Sequence, residues 1–467
     1  MLHTRMSVLA ICLMAVALAP ANITPGFLPH LPAAHAQSST ATLSGTFMAT
    51  TFENTGDHGQ NWLSALTFDG ASSGGGSGTV TGSGTLELLV GADGSPGDGT
   101  QLPLTYTIAA DGRTDIAITA DGETDTFTGQ TDPDGNRFFL VYDDVQDGER
   151  GLVFGVKTSQ DNSASASLLS GHYTFVQFET REESPFDTKG GNHILDIEFD
   201  GNGGGTASVL VSSEYPETIG SQFDITYEVH ADGRATLILN PLDPIEYTGT
   251  VSANGETAAF VSYESSSGGE IMIGTPSGAA SASADGEYLV ALYDDTGSTT
   301  GGSHYLASYD LEASGSGELT LLIDVDDPGS VGIMLPFTYT VSNEGFYSVI
   351  VPVGTYADAF SGQLSADGSF FIQSYVDVQT EGGTEDSEQG FIVGLRKANT
   401  ATATKREQPA RFHLGPAYPN PFSQSTTFTF SLDQPIRVTL DVHDVLGRPV
   451  ARLMDDALPA GPQPAVG

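Results

Sequence analysis

The chain has 467 residues, with 16 Lys and Arg against 59 Asp and Glu, which gives a formal net charge of −43. This charge disfavours nucleic acids and anionic membranes as partners, because both would be repelled. The 57 glycines, with 39% hydrophobic and only 16% charged residues, are typical of many short strands joined by glycine turns rather than of a disordered chain. Two interpretations of the acidity are open: a solvated extracellular surface, or calcium binding by clustered carboxylates.

The first 36 residues have the pattern of a signal peptide. A short basic segment at 1–5 precedes an apolar segment at 6–19, and Ala34-His35-Ala36 fits the small-x-small cleavage rule. The apolar segment is too short for a comfortable membrane span, so we expect no transmembrane segment in the mature chain. Cys12 is the only cysteine and lies inside this leader, which excludes disulfides, thiol catalysis and cysteine metal sites from the mature protein.

The region between the leader and the C-terminal tail is a triple repeat. Its period of roughly 110–125 residues indicates domain-sized units rather than solenoid repeats. Each unit contains an alternating strand with aromatic and aliphatic residues in one phase and Thr or Glu in the other: Leu104-Tyr106-Ile108, Ile225-Tyr227-Val229 and Phe337-Tyr339-Val341. The shared phase predicts which face of each strand is buried.

The repeats predict three all-β units at 41–157, 168–275 and 284–397, joined by small-residue linkers. In the first unit about eight strands are predicted, at 43–53, 62–69, 79–90, 102–109, 114–119, 124–129, 137–143 and 151–157. Short turns between sequential strands favour an antiparallel meander, and an up-and-down β-barrel would leave no exposed edges. A two-sheet β-sandwich is the alternative. We expect the three units to be arranged like beads on their linkers.

No pair of carboxylates recurs in register across the units, so the sequence gives no reason to prefer any one acid/base pair. No catalytic or cofactor-binding residue is therefore predicted. The Gly-x-Ser-x-Gly match around Ser72 lacks the strand–turn–helix context of a hydrolase nucleophile. The histidines have no zinc-type spacing. Asp132, Asp134 and Asn136 are the calcium candidates, although a plain hairpin turn is favoured because the segment does not complete an EF-hand loop.

Several aromatic residues fall outside the repeated phase of the units. Core or barrel-end packing is the favoured interpretation of these residues, with a ligand-binding surface as the alternative. They are Phe52, Trp62, Phe178 and Tyr293.

After a linker at 398–411, residues 412–467 carry three groups of motifs. The first is Tyr418-Pro419-Asn420-Pro421-Phe422, which can be neither helix nor central strand because its prolines lack N–H groups. Strict alternation then predicts half-buried strands at 426–432 and 436–443, with a third strand beginning at 450. The turn after the second strand contains the remaining motif residues, Asp444, Leu446, Gly447 and Arg448.

These motifs resemble the type A sorting domain of the type IX secretion system, a small β-sandwich related to the FlgD immunoglobulin-like fold. The resemblance implies passage through the inner membrane by the signal peptide, recognition by the type IX secretion machinery, and release or attachment at the outer-membrane surface. The family continues with further strands after the Ala460-Gly461 turn, whereas this sequence ends with residues 462–467. We therefore expect an incomplete Ig-like sandwich with unpaired edges.

Three functions are compatible with these features. The favoured one is an exported, non-enzymatic repeat protein in the extracellular space or on the cell surface, adhesive or matrix-binding, since repeated units suit multivalent weak binding. The second is a small-ligand carrier, because by strand count alone the units resemble lipocalin- or avidin-like barrels. The third is a secreted hydrolase, which would need a carboxylate pair or a nucleophile–base pair converging in one cleft.

Overall fold

The structure is a computed structural model, and it describes most of residues 42–398 together with parts of 412–466. Within 42–398 the description leaves out 55–58, 71–78, 92–93, 121, 145–148, 180–190, 214, 241–243, 263–268, 279–283, 296–302, 325–329, 354–355 and 382–383. The expected signal peptide, 1–36, lies outside the described residues. Where the chain is described, no helix is long and apolar enough to cross a membrane.

The three repeats form three closed eight-stranded antiparallel barrels, as predicted. Barrel 1 contains β1 (Gly45–Asn54), β2 (Gly59–Phe68), β3 (Val80–Val90), β4 (Gln101–Ile108), β5 (Arg113–Ala120), β6 (Glu123–Thr131), β7 (Arg137–Asp144) and β8 (Glu149–Lys157). Barrel 2 contains β9 (Ser170–Glu179), β10 (Gly191–Asp200), β11 (Gly204–Ser212), β12 (Gln222–Val229), β13 (Arg234–Leu239), β14 (Ile245–Val251), β15 (Ala258–Ser262) and β16 (Glu270–Pro276). Barrel 3 contains β17 (Gly286–Asp295), β18 (Ser303–Leu311), β19 (Ser316–Asp324), β20 (Met334–Val341), β21 (Phe346–Val353), β22 (Tyr356–Leu364), β23 (Phe370–Glu381) and β24 (Thr384–Arg396).

Each barrel is an up-and-down meander in which every strand pairs with its sequence neighbour and the last strand pairs with the first. In barrel 1, for example, Ala49 of β1 lies opposite both Ser64 of β2 and Gly155 of β8. The sandwich alternative is therefore excluded for the three repeats. Closure satisfies the backbone groups that an edge strand would expose.

The predicted phase of the alternating strands is confirmed. Residues of the apolar phase in β4, β12 and β20 are buried or half-buried, whereas the intervening Thr and Glu residues are exposed. Aromatic rings fill the interior of barrel 1, where Phe47, Phe68, Tyr106 and Phe138 have ring centroids 5.2–6.1 Å apart. Because inward positions alternate with outward ones, the repeated phase fixes the register of every barrel.

A steric constraint explains why the closing strand of each barrel contains a glycine. A Cβ atom at Gly155 would lie 2.2 Å from the ring of Phe138, which is fully buried. Gly274 and Gly394 meet the rings of Phe175 and Phe371 in the same way, at 2.4 and 2.2 Å. The closing strand can therefore carry no side chain where the aromatic ring of a paired strand crosses it.

The three barrels are not beads, and that expectation is wrong. Their outward faces share one apolar cluster, built from the first, seventh and eighth strands of the barrels together with the second strands of barrels 2 and 3. At its centre, Phe52, Phe178 and Tyr293 occupy equivalent positions in β1, β9 and β17 and contact one another with ring centroids 5.1–5.5 Å apart. Mutual contact of three equivalent residues defines an approximate three-fold axis, and the favoured interpretation of these aromatics as core is confirmed.

The contacts between barrels follow this three-fold arrangement. The first strand of each barrel contacts the sixth strand of another: β1 contacts β14, β9 contacts β22 and β17 contacts β6. The side-chain amide of Asn61 donates to the carbonyl oxygen of Ser262 at 2.6 Å, and Asn192, its equivalent in barrel 2, donates to that of Tyr375 at 2.5 Å. Three head-to-tail interfaces of this kind close a ring within one chain.

Arg137 joins all three barrels through its guanidinium, which is 3% exposed. Its Nε donates to Thr257 of barrel 2 at 2.7 Å, and its Nη1 donates to Ser369 of barrel 3 at 2.9 Å and to Asp132 of barrel 1 at 3.3 Å. The guanidinium also lies 5.5 Å from the centroid of the Phe370 ring. These contacts satisfy a charge that would be very unfavourable alone in the interior.

The segment between barrels 1 and 2 is folded rather than a free linker. The backbone N–H of Thr158 donates to Thr46 of barrel 1, and that of Ala164 donates to Ala231 of barrel 2. A short 3-10 helix, Ala166–Leu168, follows and leads into β9. The segment 158–167 therefore packs on both barrels, which is consistent with their direct contact.

The tail forms a separate compact unit with two small sheets. One contains β25 (Phe412–Leu414), β26 (Thr427–Leu432) and β29 (Gly461–Val466), and the other contains β27 (Ile436–His443) and β28 (Pro449–Leu458). The strands expected near 426, 436 and 450 are present. Residues 461–466 form a further strand, which pairs along the whole of β26.

Candidate functional site

A shallow depression of about 640 Å³ lies on the outer face of barrel 1, over β3, β4 and β5. Outward-pointing hydroxyl groups form its floor in cross-strand rows, because Thr81 pairs with Thr107 and Ser83 pairs with Thr105. Ala117 and Thr126 continue the second row on β5 and β6. We call this surface, lined by Thr81, Ser83, Thr105, Thr107, Asp115 and Thr126, the hydroxyl face.

Two carboxylates anchor the hydroxyl face. Asp115 accepts hydrogen bonds from Thr128 at 2.9 Å and from Thr107 at 3.5 Å, and Asp69 accepts one from Ser83 at 3.0 Å. Beneath them, burial raises the pKa of Tyr106, whose hydroxyl donates to the Leu43 carbonyl oxygen. The floor is thus rigid and polar, with hydroxyl donors and acceptors facing outward.

The corresponding outer faces of barrels 2 and 3 have different chemistry. Barrel 2 presents Asp224, Thr226 and Glu228 on β12, and it exposes Leu210, Tyr215 and Ile219 on β11 and the segment that follows. Barrel 3 exposes Thr338 and Thr340 on β20, at the positions of Thr105 and Thr107. It also presents apolar side chains on its third to fifth strands and the loop between β19 and β20, and those that are more than a third exposed are Leu322, Ile323, Val331, Met334 and Ile350. The strands share their apolar phase, whereas the exposed residues of these faces differ in part from barrel to barrel.

One end of each barrel is closed by the residue two positions before its first glycine. These residues are Leu43, Leu169 and Ala284, and all are buried. In barrel 2 the hydroxyl of Tyr173 donates to Gly255 at 2.6 Å and to Leu168 at 3.2 Å, and burial raises the pKa of Tyr173 to about 12. This end is therefore sealed and is not an entrance.

The opposite end of barrel 2 carries a polar network that sequence reasoning missed. Glu270 accepts hydrogen bonds from Gln177 at 3.1 Å and from the hydroxyl of Tyr247, and it lies opposite Glu179 in the strand register. Glu179 in turn lies 3.9 Å from His193. All five side chains belong to inward positions near the strand ends.

The signal for this acidic end was present in the sequence. Glu53, Glu179 and Asp294 each stand eight residues after the glycine that opens their repeat, at positions 45, 171 and 286. A single carboxylate position therefore recurs in register, whereas the sequence-based expectation concerned a recurring pair. In barrel 1, Glu53 is buried and accepts a hydrogen bond from the hydroxyl of Tyr142.

The calcium candidates lie in a tight turn between β6 and β7. Asp132 is 1% exposed, and its carboxylate accepts hydrogen bonds from the Asn136 backbone at 2.7 Å and from Arg137 at 3.3 Å. Burial raises the pKa of Asp132, while Arg137 and two backbone N–H groups oppose that shift. The Asp132 oxygens are thus engaged by donors within a structural turn, and the negative charge of Asp134 adds to the upward shift of the Asp132 pKa.

The other predicted sites lie outside the described residues. They are the residues of the sorting motif, Tyr418, Pro419, Asn420, Pro421, Phe422, Asp444, Leu446, Gly447 and Arg448. Ser72, which was not predicted to be catalytic, lies outside the described residues as well. Among the residues that the structure does describe, no group of three or more His, Cys, Asp or Glu side chains is arranged to hold a metal ion.

Comparison with known proteins gives distant structural matches. No family model and no curated protein matches the chain. Solved structures of transferrin-binding protein B are similar: that from serogroup B Neisseria meningitidis has 10% identity and a TM-score of 0.24, and a double mutant from Haemophilus parasuis has 7% identity and a TM-score of 0.27. Each alignment covers 77% of this chain and 78% of the other. Similarities with TM-scores this low are too distant to support an inference about function.

Proposed function

We propose that this is a secreted or cell-surface, non-enzymatic binding protein that uses the outer faces of its barrels. The observation that carries the proposal is the contrast between the shared apolar phase of the barrel interiors and outer strands whose exposed residues differ in part from barrel to barrel. The shared axial cluster fixes the barrels relative to one another, so the three faces are held rigidly. Rigid presentation lowers the entropy lost on binding.

We assign a neutral, polyhydroxylated polymer of the extracellular matrix as the ligand of the hydroxyl face. Threonine and serine hydroxyls both donate and accept hydrogen bonds, and carboxylates accept them from ligand hydroxyls. The net charge of −43 disfavours anionic polysaccharides by repulsion. Neutral polysaccharides carry the hydroxyl groups that the face can bind, and they lack the negative charge that would be repelled.

Affinity electrophoresis of the mature chain tests this assignment. Gels containing a neutral glucan or xylan should retard the protein, whereas gels containing alginate should not. Thr105→Val with Thr107→Val removes two hydroxyls without changing side-chain shape and should weaken binding about tenfold, since each hydrogen bond contributes roughly 0.5–1.5 kcal/mol. Thr226→Val, at the position of barrel 2 equivalent to Thr105, is the matched control. Equal retardation of all variants, or none by any neutral polymer, would refute the assignment.

A small-ligand carrier is the second candidate, and the closed eight-stranded barrels favour it. A fluorescent fatty acid titrated into the mature chain distinguishes it from surface binding. If the interiors are filled, the probe should show no saturable binding. Saturation at one probe per barrel would instead establish carriage as the function.

We propose export by the type IX secretion machinery, on the strength of the sorting motif alone. The whole precursor is expressed in a bacterium that has this secretion route, and the culture medium is compared with the cells. Pro419→Ala with Pro421→Ala, or Gly447→Val, should retain the protein inside the cells, and Pro462→Ala serves as the control. Unchanged amounts in the medium for all variants would reject this route.

A further inference from the structure

The interior of barrel 3 contains two polar side chains where barrels 1 and 2 have other chemistry. Gln373 occupies the position of Leu140 and Phe260, as its pairing with the repeated glycine Gly362 shows. Tyr347 pairs with the same glycine from the other side and occupies the position of Thr114 and Ala235. The two residues therefore lie in one row across β21, β22 and β23, separated by a residue without a side chain.

Both side chains point into the barrel. Phe371 and Tyr375, on either side of Gln373 in β23, belong to the interior cluster of barrel 3, whereas Phe370 and Ile372 belong to the axial cluster. Strand alternation therefore directs Gln373 inward. Tyr347 also belongs to the interior cluster, and its ring centroid lies 5.0 Å from that of Phe371.

Neither side chain has a hydrogen-bond partner among the described residues. Gln373 is 0% exposed with both amide atoms unpaired, and Tyr347 is 0% exposed with its hydroxyl unpaired. Leaving such groups unsatisfied costs about 1–3 kcal/mol each, and folded proteins almost always satisfy them, often through enclosed molecules. Phe371, Tyr309 and Tyr339, which belong to the same interior cluster, are uncharged aromatic residues, and such surroundings favour a neutral partner over an ion.

We propose that barrel 3 encloses a small neutral guest that hydrogen-bonds to the side-chain amide of Gln373 and the hydroxyl of Tyr347. The guest must both donate and accept hydrogen bonds, because the amide offers one group of each kind. Ordered water and a small neutral organic molecule share this chemistry. The proposed guest site shares no residue with the hydroxyl face. A negative result for polysaccharide binding would therefore leave the proposal for barrel 3 unaffected.

Two measurements on the full mature chain locate the guest and identify its source. A crystal structure should show density about 2.7–3.2 Å from both the Gln373 amide and the Tyr347 hydroxyl. Native mass spectrometry then distinguishes the sources: a stoichiometric added mass, lost after denaturation, indicates an organic guest, and density without added mass indicates water. Continuous side-chain packing with no density between these atoms would overturn the proposal.

Substitution provides an independent check. In Gln373→Leu, which installs the residue of barrel 1, the guest should be expelled and the melting temperature should fall, because the Tyr347 hydroxyl loses its partner. If the amide has no partner, the same substitution removes two unsatisfied atoms and the melting temperature should rise, which contradicts the proposal. Leu140→Gln is the matched control: it places an amide in barrel 1, where no tyrosine stands opposite, and should not create a guest site.

Discussion

Arg137 is the residue on which the joining of the three barrels depends most directly. One guanidinium contacts an aspartate of its own barrel, a threonine of the second barrel, and a serine and a phenylalanine ring of the third. Thr257 and Phe370, which occupy the position of Arg137 in the repeats of barrels 2 and 3, are among these partners. The three copies of one sequence position have therefore diverged into a donor, an acceptor and an aromatic surface.

Arg137→Met tests the energetic role of this residue. The change keeps an apolar stem but leaves the Asp132 carboxylate buried beside fewer donors, so we expect the free energy of unfolding to fall by about 3–5 kcal/mol. Urea unfolding measures the loss. Arg137→Met combined with Asp132→Asn should recover part of it, since no buried charge then lacks its partner. A single variant as stable as the native chain would contradict this interpretation.

Buried tyrosines predict instability at alkaline pH. Burial raises the pKa of Tyr173 and of Tyr288 to about 12, from an ordinary value of 10.0. The unfolded chain ionises these groups at lower pH than the folded chain, so their stabilisation is complete below pH 10 and is lost as the pH rises toward 12. Each contributes roughly 2–3 kcal/mol to this loss.

Urea unfolding as a function of pH checks the tyrosine prediction. The free energy of unfolding should decrease from pH 10 upward, together with the appearance of tyrosinate absorbance. Tyr173→Phe should have a shallower decrease than the native chain, because one titrating group is removed. A constant free energy of unfolding over this interval would be inconsistent with the burial of these hydroxyls.

Among the strands, the closing strand of each barrel depends on its glycine. Gly155→Ala places a methyl group against the Phe138 ring and should destabilise the protein by about 1–3 kcal/mol through overpacking. Phe138→Leu in the same chain makes room for the methyl group. The two changes should therefore be less than additive in a double-mutant cycle measured by denaturant unfolding. Strict additivity would show that the ring and the glycine are not coupled.

Most strands could be predicted from the sequence because alternation and Asp-Gly turns act locally. Packing between barrels could not be predicted from the repeated phase alone, since that phase marks only the inward face. A further signal was present: Leu152–Val156 and Ile271–Ile273 are continuous apolar runs, which indicate strands buried on both faces. The acidic end of the barrels was missed for a different reason, since Glu53, Glu179 and Asp294 recur at a fixed offset within otherwise unlike sequences.

At the scale of the molecule, the shared axial cluster predicts that the three barrels unfold together. Trp62 is the only tryptophan, so its fluorescence reports on barrel 1, whereas far-UV circular dichroism reports on all strands. The two signals should follow one denaturant transition with the same midpoint. Phe52→Ala removes one ring of the axial aromatic trio and should lower that common midpoint. Separate transitions for the two signals would show that the barrels are energetically independent.

Salt should stabilise the whole molecule. A net charge of −43 produces self-repulsion in the folded state, and added ions screen it. We expect the melting temperature to rise between low and high NaCl. A melting temperature that is constant or decreases over this range would show that the acidic groups are locally compensated.

The ring of three barrels also separates two evolutionary constraints within each repeat. The first, seventh and eighth strands meet the other barrels along the axis, and the sixth lies against a neighbouring first strand. Substitutions there disturb two barrels at once, whereas among the described residues the third, fourth and fifth strands contribute to the axial cluster only the half-buried Val211 and Phe346, which pack against it. A chain of this kind can acquire new surface specificities on three separate faces without altering the contacts that hold it together.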